Sequence, residues 1–127
     1  MAGELDKTVR SMFRLLDAKD FGTISKNFTD DAQAIDEISR RWLRGRSQLD
    51  DYFKQMGTAV NDIHSELRDV RESTSDSTGV VTCWLEQDYT YEGKRQHVSA
   101  PTTIVLRRSG SEWKVALIHS APLPDSG

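Results

Sequence analysis

Residues 80–120, VVTCWLEQDYTYEGKRQHVSAPTTIVLRRSGSEWKVALIHS, contain three consecutive runs in which apolar and polar side chains alternate. Turn signals separate the runs at Gly93–Lys94 and at the Ser-Gly-Ser sequence of residues 109–111. Alternation with a period of two is typical of strands, and short connections that contain glycine are typical of hairpins. The segment therefore predicts three long hairpin-linked strands, and the polar stretch NDIHSELRDVRES (residues 61–73) predicts a fourth before them.

The first half of the chain carries helical patterns instead. Apolar residues recur at helical spacing from Leu5 to Leu16, and residues 20–28 indicate a second, short helix. A short hairpin within residues 32–47 precedes a third helix, whose start is predicted at Ser47 by a capping-box pattern with Asp50. Helices first and strands last predict an α+β fold, with three helices on one face of a strongly curved mixed or antiparallel sheet. We expect residues 1–127 to form a single domain with an irregular tail at residues 122–127.

The last strand predicts how the two faces of the sheet are used. Alternation places Trp113, Val115, Leu117 and His119 in one row, and Ala116, Ile118 and Ser120 in the other. Both rows carry apolar residues, and the helices can cover only one face. The simplest cover for the other face is a second copy of the chain, so we expect a homodimer through the face that carries Ala116 and Ile118. Pro101 lacks an amide donor and predicts a bulge or bend in its strand.

Composition excludes several classes of function. The chain has 17 basic and 20 acidic residues, interspersed, with a net charge of −3, which argues against a nucleic-acid partner. No apolar run reaches membrane-spanning length. The single cysteine, Cys83, excludes an internal disulfide and favours a reducing compartment, so we expect a cytoplasmic protein. Three scattered histidines without ligand spacing predict neither a metal site nor a cofactor.

The order of elements resembles that of the nuclear transport factor 2-like superfamily, in particular its SnoaL-like branch, which has a cystatin-like fold and is related to ketosteroid isomerase. The resemblance is carried by LLDAKDFGTISKNFTDDAQAIDE (residues 15–37), GRSQLDDYF (45–53) and TTIVLRRSGSEWKVALIHSAPLP (102–124). It implies a cone in which the sheet wraps the first helix and leaves a mostly apolar pocket at the wide end. Members commonly pair through their sheets. The superfamily includes isomerases, cyclases, dehydratases, epoxide hydrolases and non-catalytic modules, so fold does not decide activity.

Asp36 is the first candidate for catalysis. Its segment resembles the part of ketosteroid isomerase in which a carboxylate after the first strand is the general base, and a partly buried carboxylate can take a proton from carbon. The alternative is a strand-end aspartate that is bonded to backbone or solvated. The isomerase's two oxyanion-stabilising residues would fall near Met12 and Thr103, which are neither tyrosine nor carboxylic acid. We therefore do not expect ketosteroid isomerase activity.

His119 is the second candidate, because an inward-facing imidazole could form an acid–base pair with Asp36. The alternative is a histidine held by hydrogen bonds within the sheet. Further residues are candidates for ligand binding at the pocket wall, and core packing or a solvated strand end is the alternative for each. These residues are Trp42, Tyr52, Trp84, Asp88 and Trp113.

Two functions remain open. The first is a cofactor-independent isomerase, cyclase or dehydratase that acts on a small hydrophobic oxygenated molecule, and it requires Asp36 and His119 to converge on one pocket. The second is a non-catalytic small-molecule binder or a dimerisation module, and it predicts a collapsed pocket or one without convergent polar groups.

Overall fold

The computed structural model describes residues 3–123. The helices are α1 (Glu4–Asp17), α2 (Phe21–Ser25) and α3 (Gly45–Ala59). The strands are β1 (Phe28–Ile35), β2 (Leu43–Arg44), β3 (Val60–Ser75), β4 (Thr78–Tyr91), β5 (Lys94–Ser109) and β6 (Glu112–Ser120). Of the predicted irregular tail, residues 122–123 have no regular secondary structure, and residues 124–127 lie outside the described part of the chain.

One six-stranded sheet runs in the order β2-β1-β6-β5-β4-β3. Neighbouring strands are antiparallel except for β1 and β6, which are parallel. The three helices pack on one face, where their apolar stripes and the inward side chains of the sheet form the core. The predicted α+β fold, with three helices and a mixed sheet, is confirmed. Within residues 3–123, no helix is long and apolar enough to cross a membrane.

The start of α3 differs from the prediction. The helix begins at Gly45 directly after β2, so Ser47 lies inside the helix and is not its N-cap. The capping-box prediction is therefore wrong. Gly45 has φ +85°, a conformation that glycine adopts without a steric penalty, and this allows the chain to turn from strand into helix in one residue. Gln48 stabilises the junction, because its Oε1 accepts a hydrogen bond from the Arg44 amide at 2.8 Å.

A bulge in β6 reverses the side-chain alternation of the last strand. Leu106 of β5 pairs with Val115, but the adjacent Val105 pairs with Leu117, so Ala116 is an extra residue. One extra residue shifts every later side chain to the opposite face. The predicted bulge at Pro101 is absent, since the β4–β5 register runs unbroken past the Trp84–Pro101 pair.

Because of the bulge, the side chains of β6 after Ala116 lie on the opposite faces from those predicted. Trp113 and Val115 are buried on the helix side, as predicted, but beyond Ala116 it is Ile118 and Ser120 that face inward. Ala116 is itself buried. The expectation that Ala116 and Ile118 form an outer, partner-binding face is therefore wrong.

Candidate functional site

A cavity of about 70 Å³ lies between the inner face of the sheet and helices α1 and α3. Its wall is mostly apolar, and its aliphatic and aromatic lining includes Met12, Phe13, Leu16, Leu49, Phe53, Met56, Leu85 and Ile118. The polar residues that reach it are Asp36, Glu37, Tyr52, Gln87 and Ser120. Of the seven residues predicted as site residues, only Asp36 and Tyr52 line this cavity.

Asp36 lies in the turn that follows β1 and has two sets of contacts. Its Oδ1 accepts hydrogen bonds from the amides of Ile38 at 3.0 Å and Ser39 at 2.8 Å. Its own amide donates to Ser39 Oγ at 3.1 Å. The second carboxylate oxygen, Oδ2, accepts from the Tyr52 hydroxyl at 2.6 Å. Asp36 therefore closes a turn through one oxygen and meets the cavity wall through the other.

Tyr52 projects from α3 and links that helix to the turn after β1. Burial, followed by the negative charge of Asp36, raises the pKa of the Tyr52 hydroxyl well above its ordinary value. The phenol therefore stays protonated and acts as a fixed donor to Asp36.

Glu37 is a site residue that the sequence interpretation missed. It lines the cavity beside Asp36, and its Oε1 accepts a hydrogen bond from the Tyr89 hydroxyl at 3.2 Å. Burial, and then the charge of Asp36, raise the pKa of the Glu37 carboxyl. Burial and the Glu37 carboxyl likewise raise the pKa of Tyr89. Two adjacent acids, each paired with a tyrosine, thus stand at one end of an apolar cavity.

Gln87 and Ser120 are buried polar residues on the cavity side of the sheet. Gln87 Nε2 donates to Ser65 Oγ at 3.0 Å, and Ser65 Oγ donates in turn to Asp17 Oδ1 at 2.7 Å. The Ser120 hydroxyl oxygen lies 2.8 Å from that of Thr102. The sequence offered one signal for Gln87, since it alternates with Leu85 and Tyr89 on β4. Ser120 could not be found without knowledge of the bulge.

His119 does not face the cavity. Its side chain is exposed on the outer face of the sheet, where its ring lies 6.0 Å from the Trp42 ring, centroid to centroid. Ile35 pairs with His119 across the β1–β6 ladder, so His119 is close to Asp36 along the backbone but points to the opposite side. The predicted Asp36–His119 acid–base pair is therefore wrong, because the bulge at Ala116 reverses the phase.

The remaining aromatic candidates do not line the cavity either. Trp42 packs on the outer side, with the Arg44 guanidinium 5.5 Å from its ring. Trp84 and Asp88 lie together on the outer face of β4, because Leu85 and Gln87 point inward. Asp88 Oδ1 lies 2.7 Å from His97 Nδ1.

Trp113 is buried in the core, 8% exposed, and lies away from the cavity. The Arg108 guanidinium lies 5.6 Å from its ring. Its indole Nε1 has no hydrogen-bond partner among the residues that the structure describes. Trp113 therefore serves packing and does not form a wall of the candidate site.

Comparison with known proteins places the chain in a family. A family model described as a SnoaL-like domain matches residues 5–125. A candidate dehydratase of the nuclear transport factor 2-like family from Streptomyces avermitilis has a similar structure, with a TM-score of 0.86, 18% identity and 96% of each chain covered. A ketosteroid isomerase-like protein from Erwinia carotovora atroseptica gives a TM-score of 0.79, 18% identity and 94% of each chain covered.

A nuclear transport factor 2-like superfamily protein from Salmonella enterica serovar Typhimurium is similar as well. It gives a TM-score of 0.83 and 17% identity, with 98% of this chain and 92% of the other covered. No curated protein is significantly similar to the chain in sequence. At such identities the structural likeness establishes the fold and leaves the activity open.

Proposed function

The chain belongs to the SnoaL-like family, and from this premise we propose that it is a cofactor-independent enzyme that transfers protons on a small, neutral, largely hydrophobic molecule carrying oxygen. The observation that supports the proposal is the pair of tyrosine-bonded carboxyl groups, Asp36 and Glu37, at one end of an apolar cavity. Isomerisation and dehydration both need one group that accepts a proton from carbon and one that donates a proton to oxygen.

The two carboxyl groups suit different roles in this proposal. Asp36 accepts three hydrogen bonds, from two amides and from Tyr52, and is held in one orientation. Glu37 accepts one, from Tyr89, and its Oε2 accepts none from residues 3–123. Burial and the charge of Asp36 raise the pKa of the Glu37 carboxyl, and this favours its protonated form. We assign the proton donor role to Glu37 and the acceptor role to Asp36.

The size of the cavity limits the substrate. At about 70 Å³ it is far below the roughly 300–1,000 Å³ of typical ligand pockets. Met12 and Met56 line it, and the unbranched thioether side chain of methionine changes rotamer readily. The proposed substrate is therefore a molecule of a few heavy atoms, or one that enters as these methionines rotate.

Two observations favour the non-catalytic alternative. Asp36 Oδ1 is occupied by the turn it closes, as expected of a structural aspartate, and the cavity is small. Under this alternative, the chain binds a small molecule without transforming it. The two functions differ in whether the carboxyl groups exchange protons with a bound molecule.

The experiment is proton exchange in D2O, followed by NMR, with a panel of small ketones and hydroxyketones. We expect the wild-type chain to accelerate exchange of carbon-bound protons for at least one compound, and Glu37→Gln and Asp36→Asn to reduce the rate about 10²–10⁴-fold. Glu66→Gln is the matched control and keeps the wild-type rate, because Glu66 is exposed on β3. Binding without exchange would establish the non-catalytic alternative, and exchange that survives both substitutions would overturn the roles assigned to Asp36 and Glu37.

A further inference from the structure

The hydroxyl of Ser120 is held in a network that fixes the direction of its proton. Thr102 Oγ1 has a single proton and donates it to the Ala100 carbonyl at 3.1 Å. Both contacts are hydrogen bonds at once only if the Ser120 hydroxyl donates to Thr102 Oγ1, 2.8 Å away, and we assign it that direction. What Ser120 presents to the cavity is therefore the lone pairs of its oxygen, and both residues are buried, at 3% and 2% exposure.

Ser120 and Asp36 both line the cavity near the end of β1. Ile35 and His119 are paired in the parallel β1–β6 ladder, and Asp36 and Ser120 are the next residue on each chain. Neighbouring strands lie about 5 Å apart, so the two backbones are close where β1 ends, and both side chains line the cavity. The cavity wall thus contains a carboxylate, which only accepts hydrogen bonds, and a hydroxyl that donates its proton to Thr102. The Tyr52 proton is likewise committed to Asp36.

Gln87 is a second polar residue in the cavity wall. Ser65 donates its proton to Asp17, so it can only accept from Gln87, and this fixes the amide with Nε2 towards Ser65. Gln87 Oε1 accepts no hydrogen bond within residues 3–123, and the side chain is 7% exposed. An amide with a free acceptor and one remaining N–H complements a hydroxyl, which both donates and accepts.

We infer that the cavity selects a neutral hydroxylated molecule, whose O–H group donates to the corner formed by Asp36 and Ser120, over a ketone or ether of the same size. The inference rests on the proposed function and names its substrate class. A carbonyl oxygen in that corner would face the carboxylate of Asp36 and the lone pairs of Ser120, neither of which donates a hydrogen bond. It could be accepted only if Ser120 turned its proton inward and Thr102 gave up its bond to Ala100, so the ketone loses at least one hydrogen bond.

Two matched pairs of ligands test the inference: cyclopentanol with cyclopentanone, and phenol with anisole. Each is titrated into the ¹⁵N-labelled full chain, and the resonances followed are the backbone amide of Ser120 and the side-chain amide of Gln87. We expect each hydroxyl compound to bind at least about tenfold more tightly than its partner, the equivalent of one hydrogen bond to a charged group. Ser120→Ala reduces this preference, and the alanine leaves no donor unpaired because Thr102 still bonds to Ala100.

Ser99→Ala is the matched control, because the Ser99 hydroxyl donates to Glu86 on the outer face, and it keeps the wild-type preference. Thermal melting of both variants verifies that they are folded. Equal or tighter binding of the ketone and the ether would overturn the inference while leaving the proposed function in place. If neither member of either pair moves the Ser120 and Gln87 resonances, the inference is overturned, and the exchange experiment decides the proposed function separately.

Discussion

The neighbouring carboxyl groups of Asp36 and Glu37 share one partly buried site, and two like charges there repel each other. Asp36 is compensated by two amides and a tyrosine, whereas Glu37 has Tyr89 alone. The pair therefore lowers its energy most by protonating Glu37. Glu37 accepts fewer hydrogen bonds than Asp36. This suits Glu37 to donate a proton, and it also makes the charged form of Glu37 unfavourable in the folded state.

This imbalance predicts a pH-dependent effect of Glu37→Gln on stability. The pKa of Glu37 is raised above its ordinary value of 4.5, so its contribution to stability is fully present below that pH and is lost as the pH rises through the folded-state pKa. Glutamine resembles the protonated form. We expect the variant to unfold at higher urea concentration than wild type at about pH 8 and at an equal concentration at about pH 4.

Glu66→Gln provides the control, since Glu66 is exposed and its substitution leaves the urea midpoint nearly unchanged at both pH values. A Glu37→Gln effect of the same size at both pH values would show that packing, and not charge, is responsible.

Sequence reasoning located Asp36 but not Glu37. In a strand, consecutive side chains point to opposite faces, so a choice of Asp36 as inward assigns Glu37 outward. But β1 ends at Ile35, and both acids lie in the turn that Asp36 closes, where alternation no longer applies. The sequence shows that residue 37 is an acid. It does not show where β1 ends, and the end of β1 decides the direction in which Glu37 points.

Among the elements, β6 shows why the phase of a strand cannot be taken from one end. Trp113 and Val115 point inward as alternation predicts. After the bulge at Ala116, Ser120 points inward and His119 points outward. Leu117–His119 and Ile118–Ser120 are both apolar–polar pairs, so either phase matches the sequence equally well. Only the register with β5 distinguishes the two phases, and the sequence of β6 alone does not specify that register.

Trp113 tests the part of β6 before the bulge. Its ring is 8% exposed within the core, and its Nε1 has no partner in the described part of the chain, so removal loses packing without breaking a hydrogen bond. We expect Trp113→Ala to lower the free energy of unfolding by roughly 3–5 kcal/mol, measured by urea denaturation. Trp42→Ala, at a half-buried site, costs less. A loss below about 1 kcal/mol for Trp113 would contradict its inward assignment.

The edge strand β3 is shaped against pairing with other chains. Its register with β4 shifts at two places, and Asp62 and Asp69 adopt positive φ there, of 53° and 51°. Aspartate tolerates this left-handed conformation better than most residues, and bulges twist an edge away from a straight partner. Bulged, charged edges are how natural sheets avoid edge-to-edge association. We therefore expect molecules to associate through the outer face of the sheet and not through this edge.

The outer face has an apolar centre. Val80, Val105 and Leu117 lie side by side on three adjacent strands, and each is half-buried in the single chain. Trp84 and Pro101 form a second apolar pair on β4 and β5, separated from the first by Thr82 and Thr103. Around it lies a charged border that includes the Arg68–Glu86 ion pair, 3.4 Å between Nη2 and Oε2. An apolar centre within a polar rim is typical of a surface that another molecule covers.

We propose that the covering molecule is a second copy of the chain. Leu117→Asp places a charge at the centre of that surface, where dimerisation would bury it without a partner, so light scattering is expected to give the dimer mass for wild type and the monomer mass for the variant. The fold should survive, because Leu117 lies outside the core. Ile118→Asp is the matched comparison: its side chain lines the cavity, so it is expected to lower the melting temperature much more. A monomer mass for the unaltered chain, or dimers that persist in Leu117→Asp, would show that the outer face does not form this interface.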